Sequence, residues 1–478
     1  MWFYGCGALT VEINDSDQFS ASALYLCQHW DSTQGVFVAF LPQLGHRRPT
    51  QIMATLDGMV DKDDVHWHEL ELVDSHTISD VNTFVSPFLR KHTLVPDNAF
   101  PVSVSVLRFK NPSASGVVLE SLFPFKVSSS WRPRDPLTVI SAPFATVNPA
   151  IFVGYSSNGT ISYASKDRNT LFCDVRYMEG MSGGVALDKD GRIVGLVIGA
   201  IKKENGEGEL TVVAALPQIV KELSNYPKFD LSAHLTSELG QQAVKQVPTF
   251  DGVVALTVKR PGNMTAWGSG VLLDDQTIVT NRHVIDRHIL ITAWFGDGQS
   301  VEVRSAVSPL EGIDLVVLSL VRKVDFKPVQ VSSTPLVKGD KLTSIGYGIF
   351  FPLSMDSIFP LYSTGIVSKV VSMRLYDDST ESTPALIAAS SGCWNGSSGG
   401  GVFRQGTNEL VGLMSSNGRV LESGEIIPTM SFVIPVELVQ EAIGLWRNGK
   451  IKTVNERVER LWKLRATHRV KSHGMPKL

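Results

Sequence analysis

Asn395-Gly396-Ser397-Ser398-Gly399-Gly400-Gly401-Val402-Phe403 reads as a Gly-x-Ser-Gly-Gly turn running into a β-strand. Glycine accepts backbone angles that a side chain forbids, so main-chain N–H groups can converge on one point beside a serine. The N–H groups of Gly396 and Ser398 are candidates for an oxyanion hole, which holds the oxygen of a tetrahedral intermediate. A glycine-rich turn without chemistry gives the same string, and the motif alone leaves both readings open.

Two upstream segments weigh against the bland reading. Thr280-Asn281-Arg282-His283-Val284-Ile285 follows the apolar run Gly270-Val271-Leu272-Leu273 and the turn Asp274-Asp275. Gly312-Ile313-Asp314-Leu315-Val316-Val317-Leu318 puts one carboxylate at the mouth of an apolar strand. A serine hydroxyl is a poor nucleophile until a histidine takes its proton. The histidine needs a carboxylate to hold its tautomer and stabilise the imidazolium. Singly, His283 could be a packed histidine and Asp314 a turn residue. Together with Ser398, in one chain order and each beside an apolar run, they form a candidate catalytic set.

Residues 1–225 consist of short β-type runs divided by Gly, Pro, Asn and Ser: Ala23–Cys27, Gly35–Phe40, Val102–Leu107 and Leu137–Ile140. Such spacing predicts an all-β barrel or sandwich. This half also repeats the second. Gly180-Met181-Ser182-Gly183-Gly184-Val185 is the counterpart of the Ser398 motif. Asp190–Leu196 matches Thr407–Leu413, Phe125–Ser129 matches Val329–Ser333, and Gly159–Ser162 matches Gly365–Ser368. Matches in the same order point to duplication of one domain; reuse of similar turns is the alternative. Laying Gln51–Gly58 on Gln276–His283 puts Gly58 in the place of the histidine. Laying Gly116–Leu119 on Leu315–Leu318 puts Ser115 in the place of the aspartate. Ser182 then lacks a base and is an ordinary hydroxyl, and His66 and His68 are expected at the surface.

The chain of 478 residues is 43% hydrophobic and 19% charged, which suits folded cores in two or three domains. A net charge of −3 gives no drive toward nucleic acid. Cys6, Cys27, Cys173 and Cys393 are too scattered for a disulfide framework or a zinc site, so neither a metal nor another cofactor is expected. Met1–Gly7 does not read as a secretory signal, and no apolar stretch reaches the length of a membrane span. A glycan on the sequon Asn395-Gly396-Ser397 would block the proposed site. All three features suggest a reducing compartment.

Residues 226–246 read as a linker, and Val436–Ile443 has the apolar spacing of a helix. The tail after Trp446 carries ten Lys or Arg against two Glu, a net of +8. Val454, Val458, Leu461 and Trp462 fall at helical spacing, so a solvated basic helix packed on the body is favoured over a nucleic-acid patch.

The second half resembles trypsin-fold serine proteases of the HtrA/Deg type. The resemblance runs over Gly268-Ser269-Gly270-Val271, Thr280–Val284, Asp314–Leu318, Gly396–Gly400 and Ser431-Phe432-Val433-Ile434-Pro435, within residues 247–445. It implies an all-β chain of two trypsin-like double β-barrel domains in tandem. The first, 1–225, is degenerate and non-catalytic; the second, 247–445, is the protease; a basic helical tail, 446–478, follows. No room remains for the PDZ domain of many relatives. His283 is then the general base, Asp314 its orienter, Ser398 the nucleophile, and the N–H groups of Gly396 and Ser398 the oxyanion hole. By the same analogy the floor of the substrate pocket lies near Gly392 and its wall at Ser415, Ser416 and Asn417. Ser397 departs from the family, whose members often have asparagine there.

The chain ends Pro476-Lys477-Leu478, which resembles the Ser-Lys-Leu peroxisomal address. Taken with the degenerate first half, this is similar to the trypsin-like peroxisomal (glyoxysomal) processing proteases. That resemblance implies presequence-bearing protein substrates, an import receptor as partner, and the peroxisomal matrix as location, with the cytoplasm as alternative. Oligomerisation is left open. A quality-control protease of unfolded chains and a non-catalytic peptide-binding scaffold are the competing functions.

Overall fold

The computed structural model describes residues 2–14, 17–28, 31–44, 47–59, 65–90, 92–96, 100–112, 117, 121–128, 130–203, 209–223, 252–350, 359–419 and 426–463. The chain divides into two units, Met1–Pro248 with Leu361–Ser363, and Thr249–Pro360 with Thr364–Leu478.

The first unit contains two sheets. One is built from β1 (Trp2–Asn14), β2 (Asp17–Gln28), β3 (Asp31–Phe40), β4 (Gln51–Leu56), β5 (His68–Thr77) and, beyond the short β6 (His92–Val95), β7 (Ser103–Phe109). Hydrogen bonds run β1-β2-β3-β7-β5-β4 and return from β4 to β1, closing a ring; β8 (Phe123–Pro124) flanks β1. The other joins β9 (Pro136–Ser141), β10 (Tyr155–Ala164), β11 (Thr170–Cys173), β12 (Val185–Leu187), β13 (Ile193–Lys203) and β14 (Glu209–Ala215). Its order is β9-β10-β11-β14-β13-β12, with β12 back on β9 and β6 beside β13.

The second unit repeats both rings. Its first barrel holds β15 (Val253–Arg260), β16 (Met264–Leu272), β17 (Thr277–Thr280), β18 (Leu290–Trp294), β19 (Ser300–Val307) and, after β20 (Leu310–Glu311), β21 (Val316–Leu320). Its second holds β22 (Lys341–Gly346), β23 (Leu361–Met373), β24 (Thr383–Ala389), β25 (Gly401–Arg404), β26 (Leu410–Arg419) and β27 (Ile426–Pro435). The closed orders are β15-β16-β17-β21-β19-β18 and β22-β23-β24-β27-β26-β25. Strand for strand, these are the orders of the first unit. The chain is thus two trypsin-like pairs of β-barrels in tandem.

Alternation drives the barrels. In β15, Val254, Leu256 and Val258 enter the core while Lys259 faces out. Ring closure pairs strand edges that would otherwise invite aggregation. The matched pairs of short motifs behave alike. Val127 bridges Ile193 as Val331 bridges Leu410. Ser128 N–H donates to Ile193 O and Ser332 N–H to Leu410 O, both at 2.9 Å.

Several expectations need correction or limits. Met1–Gly7 is read in the sequence only for a secretory signal, whereas Trp2–Asn14 forms the long first strand β1. The placements of Gly58 and Ser115 are wrong. The strand before His283 is β17, whose ring counterpart is β3, not β4. The register then places the histidine position in the turn Pro42–Leu44, which holds no histidine, and the aspartate position on Ser103. The sequence match to β4 failed because short β-runs look alike, whereas ring order does not. Ser115 itself lies outside the described residues, as do the linker 226–246 and residues 464–478. His66 is exposed, but His68 lies on β5, half-buried and edge-on to Phe109.

The helix Val436–Arg447 forms as its apolar spacing predicts, burying Leu438, Val439 and Ala442. Beyond it, Val454 is not helical. It follows a short strand, β28 (Lys452–Thr453), and the helix begins only at Glu456 and runs to Trp462. Asn455 caps that helix by accepting from the Arg457 and Val458 N–H groups, which stops it extending backward to Val454.

Candidate active site

His283 sits on a single 3-10 turn, Arg282–Ile285, directly after β17. Val284 and Ile285 are buried in the barrel core and anchor the turn. Gly268 makes room for Val284, whose Cγ1 would lie 2.5 Å from an added Cβ. His283 itself is half-exposed.

Asp314 lies two residues before β21 and grips His283 twice. Its Oδ1 accepts the His283 main-chain N–H at 2.9 Å, and its Oδ2 meets Nδ1 at 2.6 Å. The second contact puts a proton on Nδ1 and leaves Nε2 as the basic nitrogen. The loop of Asp314 is fixed in turn: its carbonyl accepts from the Asn281 side-chain amide at 3.0 Å.

Ser398 lies in the turn before β25. Its hydroxyl donates to the Ser415 carbonyl at 3.0 Å, and no hydrogen bond joins it to His283. Ser415 Oγ donates to Asp314 Oδ2 at 3.3 Å. Ser415, which the sequence marked only as pocket wall, therefore connects the nucleophile candidate to the carboxylate candidate. Its position on β26 explains this, since its carbonyl and side chain point different ways from one strand residue.

The turn around Ser398 is built for main-chain donors. Gly396 has φ +94°, and an added Cβ would collide with the Trp267 indole and come within 2.7 Å of Tyr347 O. Ser269 Oγ donates to Gly396 O and accepts from Tyr347 N–H, both at 2.8 Å, which ties the turn to both barrels of the unit. Ser398 O accepts from Ser269 N–H at 2.9 Å. With those carbonyls held back, the Gly396 and Ser398 N–H groups have no acceptor among the described residues. Ser397 is fully buried, and its hydroxyl has no partner among the described residues.

Five residues before Ser398, burial pushes the Cys393 thiol up to about 12. It stays protonated at neutral pH and offers no competing thiolate. Of the pocket candidates, Gly392 is half-buried, Ser415 buried and Ser416 exposed, and Asn417 pairs with Ser431 on β27.

Residues 268–413 match the family model for the trypsin-like peptidase domain. The second unit therefore contains a trypsin-like peptidase domain. Two curated relatives are called peroxisomal leader peptide-processing protease. The chain is 27% identical to that of Homo sapiens over 322 residues, 64% of this chain and 55% of the relative. It is 27% identical to that of Mus musculus over 333 residues, again 64% and 55%. The matched part thus spans about half the length of these relatives. Among solved structures, an HtrA-type protease with a bound tripeptide aligns at 21% identity and a TM-score of 0.33, covering 41% of this chain and 60% of that one.

The matched span of the peptidase domain includes His283, Asp314, Gly396 and Ser398, and ends at Leu413, two residues before Ser415. Among the described residues there is no cluster of side chains that could hold a metal ion and no helix long and apolar enough to cross a membrane.

The first unit carries the same turn in another state. Ser22 Oγ donates to Gly180 O at 2.7 Å and accepts from Ala142 N–H at 2.8 Å, as Ser269 does in the peptidase domain. Ser182 is buried, however. Its hydroxyl donates to Ile198 O at 2.7 Å and lies 3.0 Å from the Tyr177 hydroxyl. Burial above all pushes the Tyr177 phenol up to about 12, and its hydrogen bonds to Ser182 oppose that rise.

Proposed function

We propose that the chain is a serine endopeptidase that processes imported peroxisomal proteins, and that His283, Asp314 and Ser398 do the chemistry. One observation carries the reading: a doubly held His283–Asp314 pair shares Ser415 with a serine flanked by two unengaged main-chain N–H groups.

The chemistry follows from that placement. Ser398 Oγ attacks the peptide carbonyl carbon while His283 Nε2 takes its proton. Asp314 keeps Nδ1–H in place and stabilises the imidazolium without becoming protonated. The carbonyl oxygen becomes an oxyanion facing the Gly396 and Ser398 N–H groups. The imidazolium then protonates the leaving amine, and water repeats the sequence to free the acyl group. In an unliganded site the serine hydroxyl commonly rests elsewhere and turns to the histidine only with substrate in place; the Ser415 carbonyl is that resting place here.

The names of the two relatives support removal of leader peptides as the task, with presequence-bearing proteins as substrates and the peroxisomal matrix as the location. Import through Pro476-Lys477-Leu478 fits that location. Deleting the tripeptide should leave the protein in the cytosol, and unchanged import would sink this part. The proposed pocket residues Gly392, Ser415, Ser416 and Asn417 include no carboxylate to pair with Lys or Arg. A small or uncharged residue is therefore expected before the cut. Incubating the purified protein with presequence-bearing and denatured proteins, and sequencing the new N-termini, tests both points. Cuts mainly after Arg or Lys would refute the pocket assignment. Cleavage confined to denatured protein would favour quality control over processing.

A further inference from the structure

We propose that the segment Lys452–Trp462 is a brace that positions Asp314 against His283. This rests on the reading of Asp314 as the group that orients the base. The segment lies beyond the helix Val436–Arg447, and no step of the chemistry above uses it.

The brace reaches the aspartate through β20, which ends three residues before it. β28 pairs with β20 in parallel, Leu310 opposite Lys452 and Glu311 opposite Thr453. Lys452 N–H donates to Pro309 O and Val454 N–H to Glu311 O, both at 3.0 Å. Thr453 Oγ1 donates to Glu311 Oε2 at 2.8 Å. Then comes Gly312, at φ +88°, where the chain swings from β20 toward Asp314. The Val454 side chain is buried and packs over it: an added Cβ on Gly312 would lie 2.7 Å from Val454 Cγ2. Glycine is required there twice over, by its angle and by the valine.

The brace is anchored at its far side. Asn455 N–H donates to Leu375 O at 3.0 Å, and its side-chain amide donates to Arg374 O at 2.7 Å. Val458 is fully buried, and Trp462 Nε1 donates to Ala385 O at 3.0 Å. The Lys452 ammonium lies 3.4 Å above the Tyr376 ring. Residues 309–312 are therefore clamped to β24 and to the segment that precedes it. On its other side the Asp314 loop is held by the turn it serves, through Asn281, Arg282 and His283, and by the Ser415 hydroxyl at 3.3 Å from Asp314 Oδ2. Without the brace, the Asp314 loop would be held by its own turn and by one long Ser415 contact. A single side-chain contact at 2.6 Å in a half-exposed site gains from a second support that holds its angle.

Two full-length variants grade the effect. Val454→Ala removes the side chain over Gly312 and keeps the strand pairing; Val454→Pro also removes the N–H that donates to Glu311. On a peptide cleaved by the wild type, kcat should fall about tenfold for the first and about a hundredfold for the second, the scale of small misplacements in a catalytic group. KM should stay within about twofold. The far-downfield proton NMR resonance of His283 Nδ1–H should broaden or disappear, with circular dichroism unchanged. Folded variants that keep kcat and the resonance, or lose activity through KM alone, overturn the brace. If Val454→Pro unfolds, Val454→Ala decides alone. If the wild type cleaves nothing and a fluorophosphonate does not label Ser398, the peptidase reading fails, and the resonance still judges the brace.

Discussion

The two serine turns of this molecule share a frame and differ in chemistry. Gly180 and Gly396 have φ of +88° and +94°, and Gly183 and Gly399 have +87° and +83°. Ser22 and Ser269 bind the two turns with the same pair of hydrogen bonds. Even the strained non-glycine residue recurs: Phe144 and Ile349 have φ of +51° and +61°, and each N–H donates to the carbonyl before its turn's first glycine. What differs lies around the frame. One turn has a histidine and an aspartate on the neighbouring barrel; the other has Pro42–Leu44 and Ser103 in those places. Where Cys393 stands in the second unit, the first has Tyr177, whose hydroxyl occupies the space beside the Ser182 hydroxyl and main-chain N–H. The glycine–serine turn is thus an element of barrel architecture, present in both units with different neighbours. Its presence in a sequence marks a fold before it marks an activity.

The comparison breaks most sharply at the serines themselves. Ser398→Ala should reduce peptide turnover by more than about a thousandfold, since a serine nucleophile and its base act as one unit. Ser182→Ala should leave turnover unchanged, because among the described residues Pro42–Leu44 and Ser103 stand where a base and its orienter would be. Turnover of one peptide by both purified variants, with folding checked by circular dichroism, measures this. An inactive but folded Ser182→Ala protein would reverse the assignment of the active half.

Next in size is the first glycine of each turn. Gly396→Ala puts a Cβ into Trp267 at a left-handed φ and should turn a main-chain donor away from the oxyanion, lowering kcat about a hundredfold. Gly180→Ala meets Ser22 Oγ at 2.7 Å and should lower the melting temperature without touching kcat. Equal kcat losses in both variants would show that the two turns act together.

The smallest effect should come from the serine clamps. Ser269→Ala and Ser22→Ala each remove both hydrogen bonds of a buried clamp, costing about 2 kcal/mol of stability in both units. Only Ser269→Ala should also slow catalysis, by about tenfold, through a loosened Gly396. Denaturant unfolding and steady-state kinetics on the same samples separate the two contributions. Matched stability losses would confirm that the frame is energetically the same in both halves.

The sequence by itself determined more of the second unit than of the first. Glycines at forced angles, Val–Ile–Leu alternation and a His–Asp–Ser order are local features, and local features are written in consecutive residues. They gave the barrels, the serine turn and the candidate triad. They also gave the duplication, because Val127 and Val331 carry recognisable neighbours into the same bridge. Tertiary structure alone decided what depends on pairing between distant strands. Short apolar runs are interchangeable to the eye, so the register of β3 against β7, not their composition, showed that Pro42–Leu44 and Ser103 stand where Gly58 and Ser115 were expected. Ser415 between Ser398 and Asp314, and Val454 over Gly312, are likewise contacts across the fold. Ser415 with Asp314 and Val454 with Gly312 each join residues more than a hundred positions apart. No window of sequence contains both partners of such a contact, and only the closed rings bring them within reach.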